Sequence, residues 1–181
     1  DAAVGVPVVG DAQVRAVLSL HDAVETRLGD GRARTADCIV LGEHGNGPLV
    51  PARSPFRMLV RYHFPEALDR LIFGLRVCTV SGVVVYSSNT LVSSGELYRC
   101  EAGTTAVAEF DLRCSLLRGQ YFVTVGASRL DEDGVELHAI DRRVDALILT
   151  VTGEVEHAEG VADMEARFSF DARAGAIGAM E

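Results

Sequence analysis

From Arg34 onward, apolar residues recur at every second position in short runs separated by Gly, Asn, Pro and acidic residues, a pattern that points to an all-β fold. Successive side chains of a strand point to opposite faces, so in residues 56–63 Phe56, Met58, Val60 and Tyr62 share one face while Arg57, Arg61 and His63 take the other. The same alternation buries Phe73, Leu75 and Val77, then Ala106, Ala108, Phe110 and Leu112, then Tyr121, Val123 and Val125. Four one-sided sets must cover one another, which predicts two packed sheets in an immunoglobulin-like β-sandwich. Strands are expected over 34–41, 56–64, 71–79, 83–86, 104–112, 120–128, 144–151 and 165–170, with a hairpin turning at Val80, Ser81 and Gly82.

Upstream the period changes. Val14, Val17, Leu18, Ala23, Val24 and Leu28 recur at helical spacing over 12–28, and Gly29, Asp30 and Gly31 then mark a stop. The expected organisation is a leader of residues 1–30 with a short helix, followed by a sandwich over 31–181. The opening residues lack the basic flank and cleavage pattern of a signal peptide, and the first residue is Asp, so the chain is expected to be cut from a longer protein. Apolar stretches such as 71–75 and 144–151 are far too short to span a bilayer.

Charge and motif content narrow the function. A net charge of −9 repels a phosphate backbone, so nucleic acid is not an expected partner. Cys38, Cys78, Cys100 and Cys114 show no close pairing and read as free buried thiols in a reducing compartment, although whether two of them approach each other is not fixed by spacing. His21, His44, His63, His138 and His157 are dispersed, so no metal site is expected. The Gly45-Asn46-Gly47-Pro48 segment lacks the Lys-Ser/Thr ending of a phosphate loop, and no nucleophile-elbow motif occurs. Asp131, Glu132, Asp133, Glu136 and Asp141 invite comparison with a calcium loop or a glycosidase carboxylate pair. The favoured reading is a solvated turn after the 120–128 strand.

Taken in order, several segments resemble the C-terminal substrate-recognition domain of Wzt-type ATP-binding-cassette polysaccharide exporters, across residues 27–170. They are Arg27-Leu28-Gly29-Asp30-Gly31-Arg32-Ala33, the strand 56–62, Phe73-Gly74-Leu75-Arg76-Val77, and Val83 to Thr90 with its Asn89-Thr90 pair. Leu116-Leu117-Arg118-Gly119-Gln120-Tyr121 is similar to the family's approach to a core strand, with Arg118 replacing a proline. Glu159 to Asp163 before 165–170 resembles its terminal strand, although the usual closing Trp is missing. The resemblance implies a non-catalytic carbohydrate-binding domain without a cofactor. Its ligand would be the modified end of a polysaccharide such as lipopolysaccharide O-antigen. It also implies a homodimer formed by exchange of a C-terminal strand, and a separate ATPase portion that joins the domain to a transmembrane exporter at the cytoplasmic face of the inner membrane.

Alternation then suggests where a sugar would lie. Outward residues of two adjacent core strands, Arg76 from one and Phe122, Thr124 and Ser128 from the other, offer planar donors, hydroxyls and an apolar ring. Asn89 is a further candidate, unless the Asn89-Thr90 pair only caps a turn. The plain alternative is a solvated sheet surface with Phe122 covered by a loop or partner. A structural or protein-docking sandwich, and a hydrolase with a dispersed site, are the competing functions.

Overall fold

Among the described residues, eleven strands arise where the alternation predicts them and in several short places where it does not: β1 (Thr26–Leu28), β2 (Arg34–Gly42), β3 (Gly45–Asn46), β4 (Leu49–Pro51), β5 (Pro55–Phe64), β6 (Leu68–Thr79), β7 (Val84–Asn89), β8 (Tyr98–Cys100), β9 (Thr104–Arg113), β10 (Gly119–Leu130) and β11 (Leu137–Thr152). A single helical turn, α1 (Thr90–Ser93), follows β7. The structure is a computed structural model and describes residues 26–43, 45–153, 155, 158–167 and 169. One sheet runs β1-β11-β10-β6-β7, with β4 added to β11 and β8 to β6; the other runs β3-β2-β5-β9.

The two sheets pack face to face. Met58, Val60, Tyr62 and Phe64 from β5 meet Leu71, Phe73, Leu75 and Val77 from β6, and Tyr121, Val123 and Val125 from β10, all of them buried. Apolar area removed from water at these positions is the main force holding the layers together. Tyr62 and Phe73 approach to 5.0 Å between ring centroids, and Phe64 meets Phe73 edge-on at 83°. The β9 set Ala106, Ala108, Phe110 and Leu112 packs against this core from the edge of its sheet and is only half-buried. The predicted hairpin forms between β6 and β7: Gly82 adopts a φ of +83° and its N–H donates to the Thr79 carbonyl at 2.9 Å.

Three expectations need correction. The helical spacing drawn through Leu28 does not hold at its end, because Thr26–Leu28 pair with β11 and Arg27 is drawn to a carboxylate there. Residues 12–25 of that expected helix lie outside the described ones. The strand starting near Val144 begins at Leu137, since Asp141 faces inward and so breaks the apolar alternation that would have revealed it. Glu165, Ala166, Arg167 and Ser169 form no strand within this chain, and Glu165 has a φ of +51°; positions 168 and 170 lie outside the described residues.

Asp141 is therefore not part of the solvated acidic turn. It is 4% exposed, accepts from Arg27 Nη1 at 3.0 Å and from the Thr35 backbone N–H, while Arg27 Nη2 donates to the Thr35 carbonyl at 2.9 Å. This clasp ties β1 and β11 of one sheet to β2 of the other, satisfying a buried carboxylate that would otherwise be costly. Asp131, by contrast, organises the β10–β11 turn. Its carboxylate accepts from the Val135 N–H at 2.7 Å, and hydrogen bonding with the backbone of Glu136 and Val135 holds it below the usual carboxylate range. All four thiols are free, and burial pushes Cys38 up to about 12.

Candidate functional site

The outward face of β6 and β10 carries a hollow, and the strand register explains it. Directly paired residues share a face, so three outward rows cross the sheet: Ser87, Arg76 and Thr124; then Asn89, Gly74, Gly126 and Arg142; then Ile72 and Ser128. The middle row has two glycines at its centre, with no side chain to fill the space above them. Flanking side chains lean over this gap. A Cβ on Gly74 would come within 3.1 Å of the Asn89 Cβ, and one on Gly126 within 2.9 Å of the Asp141 carbonyl oxygen and 3.2 Å of the Arg142 Cα. A glycine inside a strand often marks such a close approach, and here it shapes a depression of about 160 Å³.

Polar groups surround this floor, and no residue lining the hollow is acidic. Arg76 is half-buried, its Nε is shut off from solvent without a hydrogen-bond partner, and no carboxylate pairs with it among the described residues. Thr124 is 5% exposed, and its hydroxyl accepts the Asp145 N–H at 3.1 Å. That bond serves the fold. The β10–β11 register shifts between Val123 and Val125, Asp145 takes a φ of +51°, and the Thr124 oxygen satisfies a backbone donor released by the bulge. The hydroxyl proton remains available to donate.

Four of the five residues expected at a sugar platform, Arg76, Thr124, Ser128 and Asn89, line this one hollow. Phe122 does not. It sits in the next outward row, opposite Cys78 and Ile148, half-buried beside the depression. Asn89 does two jobs: its Oδ1 caps α1 by accepting from the Val92 N–H at 3.0 Å, while its side chain also borders the hollow. Thr90 serves the fold, its Oγ1 accepting the Phe73 N–H of β6 at 3.2 Å. Sequence reasoning missed Arg142 because β11 was expected to begin two residues later, and missed Ser87 because β7 was expected to end at Tyr86. Gly74 and Gly126 carried a usable signal as isolated glycines within strand patterns.

Among the described residues no three or more His, Cys, Asp and Glu side chains come together as metal ligands. What the hollow offers is a fixed set of hydrogen-bond donors and acceptors on rigid strands, the equipment of a binding module.

An all-β sandwich with a polar hollow on the outer face of its larger sheet defines the class; comparison with known proteins gives the family. The family model described as "Wzt C-terminal domain" matches residues 24–164, and the chain belongs to that family. The family is one of non-catalytic carbohydrate-binding domains, and membership gives this chain a role in polysaccharide export by an ATP-binding-cassette transporter. Among solved structures, the chain is similar to one described as the C-terminal domain of wzt, at 25% identity and a TM-score of 0.75, over 81% of this chain and 89% of that one. It also matches a β-glucosidase from Listeria innocua in complex with gluconolactone, at 13% identity and a TM-score of 0.37 over 72% of this chain and 16% of that one, which carries no weight. No curated protein matches the chain in sequence.

Proposed function

We propose that this domain binds the end of a bacterial surface polysaccharide of the O-antigen type in the hollow above Gly74 and Gly126, selecting finished chains for export. The observation that carries the reading is the convergence of Arg76, Thr124, Ser128 and Asn89 around a glycine floor free of acidic residues. Sugars present hydroxyls that need paired donors and acceptors, and these side chains supply both from strands whose geometry is fixed by the core. Size favours an end group over a long segment. The 160 Å³ available falls below the roughly 300–1,000 Å³ of pockets that enclose drug-sized ligands. Phe122, just outside, is placed to give an apolar surface to the next residue of the glycan.

In this reading the domain acts through a parent protein that carries the ATPase and meets a transmembrane exporter at the cytoplasmic side of the inner membrane. It also works as a homodimer. β9 is a ten-residue edge with no strand on its outer side among the described residues, and unpaired edges invite strand addition. The segment after β11 already runs past the end of that edge, where Ala162 bridges Leu116 and Arg113 Nη2 donates to Glu165 at 3.4 Å. The course of residues 161–167 past that edge supports a reading in which the 161–170 segment adds a strand to a second copy.

Retention of the domain on immobilised polysaccharide from the same cell tests the glycan reading. Wild type should bind, and the Arg76→Ala/Ser128→Ala double variant, folded by circular dichroism, should lose most of that retention. Equal retention of both would remove the hollow from the account. A second reading, a docking domain without glycan affinity, draws on the exposed Val84 and Tyr86 of edge strand β7 and the exposed Val92 beyond it. Substituting those three residues should leave polysaccharide retention intact if the first reading holds.

A further inference from the structure

We infer that the hollow selects an anionic group on the glycan, a carboxylate or a phosphate, held between the guanidinium groups of Arg76 and Arg142. This inference rests on the glycan reading of the hollow and specifies its chemistry. More than half of the described arginines already have a carboxylate, among them Arg27 with Asp141, Arg53 with Asp163, Arg57 with Glu109, Arg61 with Asp37, and Arg129 with Asp69. The chain carries 26 acidic residues against 17 basic ones, so potential partners are plentiful. Yet the two arginines that share the hollow have none among the described residues, and no residue of its lining is acidic. Elsewhere in the domain Arg34 and Arg167 lie exposed to water away from the hollow, where hydration satisfies them, and Arg70 donates its Nε–H to the Leu130 carbonyl at 3.2 Å.

Arg76 differs from those exposed arginines in that its Nε is excluded from solvent and makes no hydrogen bond. A buried, charged donor without an acceptor is unfavourable unless another molecule supplies one, and a planar guanidinium fits carboxylate or phosphate oxygens with two parallel bonds. Arg142 enters from the far end of the glycine row, across Gly126 from Gly74, and it and Arg76 line the same hollow. Between them, the Thr124 and Ser128 hydroxyls and the Asn89 amide are left for neutral parts of the sugar.

The test is titration of the isotopically labelled domain, following the Arg76 and Arg142 Nε–H resonances. Five probes are used: inorganic phosphate, acetate, a sugar phosphate, a neutral methyl glycoside of the same sugar, and a uronic acid glycoside, which separates the carboxylate source from the phosphate source. Phosphate and acetate at millimolar concentration should shift both resonances. At least one charged sugar should bind about tenfold or more tightly than its neutral counterpart, the scale of a charge-assisted hydrogen bond. Arg76→Gln should abolish that preference, and Arg76→Lys should restore part of it, which controls for misfolding. Failure of the simple anions to move either resonance overturns the inference whatever the glycan does. A neutral glycoside that binds in the hollow as well as the charged one overturns it while leaving the glycan reading intact. Bare anions that bind there with no added affinity from any attached sugar support the anion site and count against the glycan reading.

Discussion

Single residues decide both the shape of the hollow and the integrity of the sandwich beneath it. Gly126 is the clearest case, because an added methyl group meets the backbone of β11 rather than a movable side chain. Gly126→Ala should force β10 and β11 apart and cost about 1–3 kcal/mol, read as a lower urea midpoint with an unchanged m-value. Wild-type stability in that variant would mean that the glycine is there for another reason. Asp141 sits under the same pair of strands. Asp141→Ala deprives Arg27 of its carboxylate and leaves the buried Thr35 N–H without that acceptor, so a loss of about 3 kcal/mol is expected by denaturant unfolding. This lies at the low end for a broken buried pair, since the Arg27 side chain is 26% exposed. A loss under about 1 kcal/mol would place the pair among ordinary surface bridges.

At the scale of elements, strands were legible where one face is buried and the other wet. β5, β6 and β10 alternate over much of their length, as Phe56, Met58, Val60 and Tyr62 show, because the core and the solvent impose opposite demands on neighbouring positions; Leu59, Ile72 and Thr124 are buried on the outer faces as well. Short pieces such as β1, β4 and β8 hold only three residues each, too few to establish a period. The first half of β11 was hidden by Asp141, Arg142 and Arg143, polar residues with structural or site roles that alternation cannot anticipate. The candidate site divides in the same way. Arg76, Thr124 and Ser128 follow from facing direction alone, whereas Arg142 joins them only through the β10–β11 register, which depends on two bulges. The segment after β11 is a third kind of element, held by a few specific bonds. Arg53 donates to Asp163, the Leu117 N–H donates to the Val161 carbonyl at 2.9 Å, and the Asp163 N–H donates to the Ser115 carbonyl at 2.7 Å. The hydrogen bond from Arg53 keeps the Asp163 carboxyl below the usual range, so its stabilising contribution is present above the unfolded carboxylate's value near 4 and is lost as pH falls through the lower folded value. Amide protection at Leu117 and Asp163 should therefore hold at neutral pH and fall only under more acid conditions. In Asp163→Asn it should be reduced at neutral pH as well, and unchanged protection in that variant would show that the segment is anchored by other contacts.

For the whole molecule, two packed sheets carry a polar hollow on one outer face and, among the described residues, an open edge at β9. Size-exclusion light scattering of the full chain should give the mass of a dimer at micromolar concentration, and removal of residues from Glu159 onward should return a monomer. A full chain that stays monomeric contradicts strand exchange, and a truncated chain that still dimerises moves the interface elsewhere. Whether the hollow holds the glycan is read most directly from an amide chemical-shift map of the domain with an end fragment of the cognate polysaccharide. Saturable shifts are expected at Gly74, Arg76, Asn89, Gly126, Ser128 and Arg142, with the β2, β5 and β9 sheet unmoved. Shifts clustered on the opposite sheet, with those six amides unmoved, would contradict it.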